Sequence, residues 1–206
     1  YSGFTPLPNQ ISQGFSLIKK DSNGNSEWSK TLHKGNNVCW SNSVKQTLDG
    51  GYIIVGWYHF NSVGGMDIAI TIKTNSEGNE EWYETSSGAN FNSIQQTTDS
   101  GYIITGCSRP YAAGTPLASS SKVLLVKKDP QGADEWYKLF NEYSCGHSVQ
   151  QTTDGGYIIG SGKNLIKTDS EGNQEWNESI GSGNGSSVQQ TTDGGYIIAG
   201  KTESYE

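Results

Sequence analysis

QQTTDGGYIIGSGKNLIKTDSEGNQEW (150–176) holds four short runs of strand-forming residues divided by turn signals. SVQQTT reads as strand A, GYIIG as strand B, NLIKTD as strand C and EW with the residues after it as strand D. Asp-Gly-Gly between A and B is a tight-hairpin signal, and the glycine of SEGN turns C into D. About two residues separate strand B, ending at Ser161, from strand C, starting at Asn164, enough only for a hairpin within one sheet. The crossing to the next sheet is therefore D to A. That makes A the inner strand and D the outer edge.

The same phrase recurs through the chain. Its A–B part is QTLDGGYIIVG at 46–56, QQTTDSGYIITG at 95–106 and QQTTDGGYIIAG at 189–200; its C–D turn is DSNGNSEW at 21–28, NSEGNEEW at 75–82 and DPQGADEW at 129–136. Tyr52, Tyr102, Tyr157 and Tyr196 stand 50, 55 and 39 residues apart, the length of four strands with their turns. A repeat of this size means one supersecondary unit stacked several times. The chain opens on a C and a D (GFSLIKKDSNGNSEW) and ends on an A and a B (SVQQTTDGGYIIAG). The expected fold is thus all-β, a single four-bladed β-propeller domain with four antiparallel strands per blade. The N-terminal C and D strands are expected to close the ring against the C-terminal A and B. The blades fall at about 41–84, 91–138, 147–178 and, split, 186–206 plus 14–30. The alternative is that the ends pair with another copy, as a swapped dimer or an open filament.

Composition agrees with many short strands joined by turns: hydrophobic residues make up 32% and glycine numbers 27. Aromatics at 11%, recurring at fixed places, are what packed sheets need and disordered chains lack. A net charge of −7 and a single arginine, Arg109, argue against nucleic-acid partners. No stretch reaches the roughly 20 apolar residues of a membrane span. An acidic surface rich in Asn, Ser and Thr fits an extracellular or cell-surface protein. No signal sequence is visible, though Tyr1 need not be the encoded start.

The pattern V-Q-Q-T-x-D-G-G-Y-I-I-x-G followed by L-I-K-T-D-x-x-G-N-x-x-W resembles the β-propeller repeats of archaeal and bacterial surface and secreted proteins. The C–D turn, D-x-x-G-x-x-x-W, also resembles the turns of quinoprotein-type and, more loosely, Asp-box propellers. The resemblance covers nearly the whole chain and implies a fold rather than an activity.

Residues shared by every copy read as structural. Trp28, Trp82, Trp136 and Trp176 fill the gap between neighbouring sheets. Asp21, Asp129 and Asp169, with Asn75 in the remaining copy, stabilise Asx turns; their glycine is misplaced for a calcium loop. Lys19, Lys73, Lys127 and Lys167 are expected to be solvated residues that discourage edge pairing.

Function is expected where the copies differ, on the B–C and D–A loops at the end opposite the shared turns. Those loops collect the tryptophans outside the repeat, the histidines, the cysteines and the arginine. Trp40 and Trp57 are the leading ligand contacts, with Tyr58, His59, Asn42, Asn92, Arg109, Tyr111 and His147 around them, since aromatics with polar neighbours suit sugars or peptides. No metal site is expected: Cys39, Cys107, Cys145 and His147 are the set that zinc or copper would use, but they are scattered single ligands without paired spacing, and a disulfide among the cysteines is the stronger reading. Asn177 and Asn184 begin sequons.

An enzyme is not expected. Sialidase-type propellers hold their substrate with three arginines, quinoproteins need a wider ring, no nucleophile elbow accompanies His59 or His147, and acids on the variable face are few: Asp67, Glu142, Glu178, Glu203 and Glu206. The expectation is a recognition module without cofactor, binding carbohydrate or a protein segment, monomeric or self-assembling. Its alternatives are a structural subunit of a surface layer or filament joined by strand exchange, and a secreted hydrolase.

Overall fold

The computed structural model describes residues 13–35, 37–60, 66–108, 121–140, 144–181 and 183–202, and every helix or strand among them is a strand. β1 (Gln13–Lys20) and β2 (Ser26–Gly35) form a two-stranded sheet. A four-stranded sheet follows, made of β3 (Val38–Gln46), β4 (Tyr52–Phe60), β5 (Met66–Thr74) and β6 (Glu80–Ser87). The next contains β7 (Ala89–Gln96), β8 (Tyr102–Ser108), β9 (Lys122–Lys128) and β10 (Asp134–Phe140). The third whole sheet contains β11 (Ser148–Gln151), β12 (Tyr157–Ser161), β13 (Asn164–Thr168) and β14 (Gln174–Ser179). β15 (Gly183–Gln190) and β16 (Tyr196–Thr202) form a final pair. All pairings are antiparallel and follow chain order, so A–B–C–D is the order within each whole sheet and D to A the crossing between sheets.

The expected pairing of the N-terminal C and D strands with the C-terminal A and B is not formed. The two halves stand as separate sheets. The reason lies in what holds each half. β1–β2 shares an apolar cluster with the first whole sheet through Phe15, Leu32, Ile54, Ile70 and Ile72, whereas β15–β16 is held to the third by Val188, Ile158 and Leu165. Among the described residues no apolar cluster joins the two pairs to each other.

Turn chemistry follows the sequence closely. In the A–B turn the Asp49 carboxylate accepts the Gly51 N–H at 2.9 Å, and Asp99, Asp154 and Asp193 do the same for Gly101, Gly156 and Gly195. The residue after the aspartate has φ near +85° at Gly50, Gly155 and Gly194; in the second copy Ser100 is held at +69°. In the C–D turn Asp21, Asn75, Asp129 and Asp169 each accept two backbone N–H bonds, the Asx turns expected.

Between sheets, the GYII phrase divides its side chains by strand alternation. Its first isoleucine faces the following sheet: Ile53 meets Phe91 and Ile94, and Ile103 meets Val149 and Tyr157. The second isoleucine and the tyrosine face the preceding sheet, as Ile104 and Tyr102 do beside Ile53. Tryptophans fill the remaining gap, as expected. Trp28, Trp82 and Trp136 cover Gly78, Gly132 and Gly172 of the next sheet so closely that a Cβ would stand 2.7 Å from the ring. The paired glutamines stitch the inner strands together. Gln95 Oε1 accepts from Gln151 N at 2.7 Å and Gln150 Oε1 from Gln190 N at 2.7 Å, while Gln151 and Gln190 take N–H groups of the preceding A–B turns.

The strand C lysines overturn the expectation of solvated residues. Lys73, Lys127 and Lys167 are buried. Each Nζ bridges the A–B turn aspartate and a strand D glutamate: Asp49 and Glu81, Asp99 and Glu135, Asp154 and Glu175, all at 2.8–2.9 Å. Burial pulls each ammonium pKa down, but the two carboxylates outweigh it and hold the lysines above their ordinary value. Asp49 and Asp154 are brought to about 2, first by the lysine and then by a threonine hydroxyl; Asp99 is opposed most by desolvation and still reaches about 2. The cross-strand pairing explains the geometry: Lys73 lies opposite Ile53 on one side and Trp82 on the other, next to both acidic neighbours.

Candidate functional site

At the end of the first whole sheet away from the shared turns, β3 and β4 run WSN against GWYH. A bulge between Ser41 and Ser43 sets Trp40 opposite Trp57. Their rings stack with centroids 4.0 Å apart and planes 16° apart. Nothing fits between them. The surface left to a ligand is the outer side of the pair, where Trp40 is 42% exposed. His59 stands two residues beyond Trp57 on the same face of β4, and its Nδ1 lies 2.9 Å from the Asp67 carboxylate across the ladder on β5. The tryptophans and this pair make an aromatic surface with a polar flank.

Other expected contacts go elsewhere. Tyr58 lies on the opposite face of β4 and joins the cluster against β1–β2, where its ring is 5.5 Å from that of His33. Burial there pushes the Tyr58 phenol up and the His33 imidazole down from their ordinary values. Asn42 donates to the Phe91 carbonyl at 2.7 Å and Asn92 to the Gly146 carbonyl at 2.8 Å. Both amides tie one inner strand to the next, a task repeated at the same place in successive sheets. His147 is exposed just before β11, and desolvation holds its pKa below the usual value. Arg109 and Tyr111 lie outside the described residues.

Cys107 and Cys145 form a disulfide between β8 and the segment before β11. This is the disulfide reading of the cysteines, a covalent tie between two sheets, and it removes two thiolates from the alternative set of Cys39, Cys107, Cys145 and His147. Cys39 is free and partly buried, its thiol pushed up by desolvation. Asn177 sits half-buried on β14, its Oδ1 accepting from Asn164 at 2.9 Å, and Asn184 lies on β15. A separate depression of about 580 Å³ is lined by Lys138, Leu139, Phe140, Gly172, Asn173, Gln174 and Asn177 and shares no residue with the tryptophan pair.

What sequence reasoning missed is the role of the His59–Asp67 pair and of the lysine bridges. The signal for the bridges was present, since Asp, Lys and Glu recur together in each copy.

The fold these observations define is an antiparallel all-β stack of repeated sheets. No protein-family model matches the sequence, and no curated protein is significantly similar to it. Among solved structures, the chain resembles a protein of unknown function from Bacteroides caccae, with a TM-score of 0.60 at 13% identity. The match covers 89% of this chain and 64% of that one, so the chain spans less than two thirds of its neighbour's length. At that identity the likeness concerns the fold alone.

Proposed function

We propose that the sheets are propeller blades, the equivalent of four, and that they form a non-enzymatic recognition module outside the cell or on its surface. The module binds carbohydrate or a protein segment at the end carrying the B–C and D–A loops. One observation carries this reading: a stacked Trp40–Trp57 pair with Trp40 exposed stands where the copies diverge, while Trp28, Trp82 and Trp136 of the repeat are committed to packing between sheets. A flat aromatic surface beside hydrogen-bonding groups suits the apolar face of a sugar or a peptide side chain. The Cys107–Cys145 disulfide supports an oxidising compartment.

Glycan and peptide arrays probed with the parent, Trp40→Ala and Trp57→Ala proteins test it. Ligands lost with either change support the reading. An array with no ligand, or with ligands indifferent to both changes, overturns it. The alternative of a structural subunit draws support from the terminal half-sheets, whose β1 and β16 edges pair with no further strand among the described residues.

A further inference from the structure

The repeat allows each terminal strand to be matched with its counterpart in a whole sheet. Tyr196, Ile197 and Ile198 of β16 correspond to Tyr52, Ile53 and Ile54 of β4; Ile18 and Lys19 of β1 correspond to Ile72 and Lys73 of β5. In the whole sheets these strands are neighbours. Ile54 lies opposite Ile72 and Ile53 opposite Lys73, and the next sheet repeats the register with Ile104 opposite Val126 and Ile103 opposite Lys127. Among the described residues, β16 pairs with β15 alone and β1 with β2 alone. One end therefore presents the first two strands of a sheet and the other end the last two.

Three features make the halves complementary. Ile18, Val44 and Ile197 are 56%, 50% and 61% exposed, although their counterparts Ile72, Ile94 and Ile53 are buried completely. The charges are divided too: Lys19 holds Glu27 without an aspartate, and Asp193 holds Thr191 and Gly195 without a lysine, among the described residues. The indole–glycine contact is likewise divided, for Trp176 packs on Tyr196 but covers no described glycine, and Gly24 has open space where its counterparts meet an indole. Each group unused at one end is the partner needed at the other.

We propose that β16 of one copy of this chain pairs antiparallel with β1 of a second copy. The joint is a composite four-stranded sheet with Ile198 opposite Ile18, Ile197 opposite Lys19, and a bridge of Asp193, Lys19 and Glu27 across it. A second copy supplies the complement because the halves of one chain are separate sheets that share no apolar cluster among the described residues. The contact is head to tail, so it closes a ring where the rotation permits and otherwise extends a filament. This inference deepens the structural-subunit alternative, rests on the repeat, and does not depend on a ligand at Trp40.

The test uses the 206-residue chain with Cys39→Ser throughout. Leu17→Cys and Ala199→Cys are made separately, at positions whose counterparts Thr71 and Val55 are opposed in the ladder. Mixing the two under oxidation, with a tag on one, is expected to give a cross-linked heterodimer. A chain carrying both cysteines is expected to link to other chains. Sedimentation of the parent is expected to rise with concentration, and Lys19→Glu to weaken that association on the order of a hundredfold, the effect of breaking a buried ion pair. Circular dichroism checks that each variant stays folded; should Lys19→Glu unfold, Asp193→Asn replaces it with the same expectation. An internal cross-link at monomer mass would overturn the proposal in favour of self-closure. So would a monomer at every concentration, or association that neither charge variant alters.

Discussion

The central sheet β7–β10 and the terminal pair β15–β16 have nearly the same sentence in their A–B hairpins, and they fold it identically up to a point. Gly101 N and Gly195 N both bond the turn aspartate, and Thr97 and Thr191 both donate to it. Beyond the turn they part. Ile103 is fully buried and its counterpart Ile197 is 61% exposed. Hairpin geometry is therefore set by a few consecutive residues, while burial is set by the neighbour. A terminal pair has a neighbour on one side.

The largest effect that sharpens this contrast is the loss of an indole between sheets. Trp82→Ala should destabilise the chain by about 3–5 kcal/mol, since it empties the space between Tyr102 and Gly132. Trp176→Ala should cost about half as much, because that ring meets Tyr196 but no described glycine beyond. Urea unfolding of the two variants measures the difference, and equal losses would break the comparison.

Next come the lysine bridges. Removing buried Lys127 leaves Asp99 and Glu135 facing each other and should cost about 2–3 kcal/mol, whereas Lys19→Ala, measured at a dilution where the chain is monomeric, should leave the denaturation midpoint nearly unchanged. The same bridges fix the pH profile. Asp49, Asp99 and Asp154, lowered to about 2 in the folded chain, contribute stability that is complete above about pH 4 and lost as pH falls toward 2. The raised lysines contribute stability present below the ordinary lysine value and lost only as pH climbs above it. Thermal melts should show a plateau between these limits, and Lys127→Ala should shrink the acid-side fall by the part of the Asp99 shift that the lysine supplies, leaving that of Thr97 and Gly101.

The smallest effect belongs to the one copy that breaks the turn rule. Ser100 occupies a left-handed conformation that its counterparts assign to glycine, so Ser100→Gly should stabilise the chain by about 0.5–1 kcal/mol. Gly50, Gly155 and Gly194 changed to serine should each lose a similar amount, read from the same melts.

Legibility in the sequence tracked the range of each interaction. The strands, their order, the Asx turns and the D-to-A crossing were readable because hairpin loops are short and their chemistry is local. Packing tryptophans were readable from recurrence at one place. The glutamine stitches were not, because their partners lie on a neighbouring sheet, and for the lysine bridges only the recurrence of Asp, Lys and Glu was visible, since the three meet across two ladders. At the candidate site the sequence singled out Trp40 and Trp57, but the bulge at Ser41–Ser43 decided that they stack on each other. Asn42 and Asn92 carry the same residue type as a binding amide, and their place between inner strands gives them another task.

By itself, then, the sequence determined the repeat, the four strands of each unit and the complementarity of its two terminal halves, all consequences of turn residues and side-chain alternation. The tertiary structure alone decided that Lys73, Lys127 and Lys167 are buried, that Cys107 meets Cys145, and that the halves stand apart. Those outcomes depend on how one sheet is set against the next. That relation is a property of packing between distant segments, which no local pattern encodes.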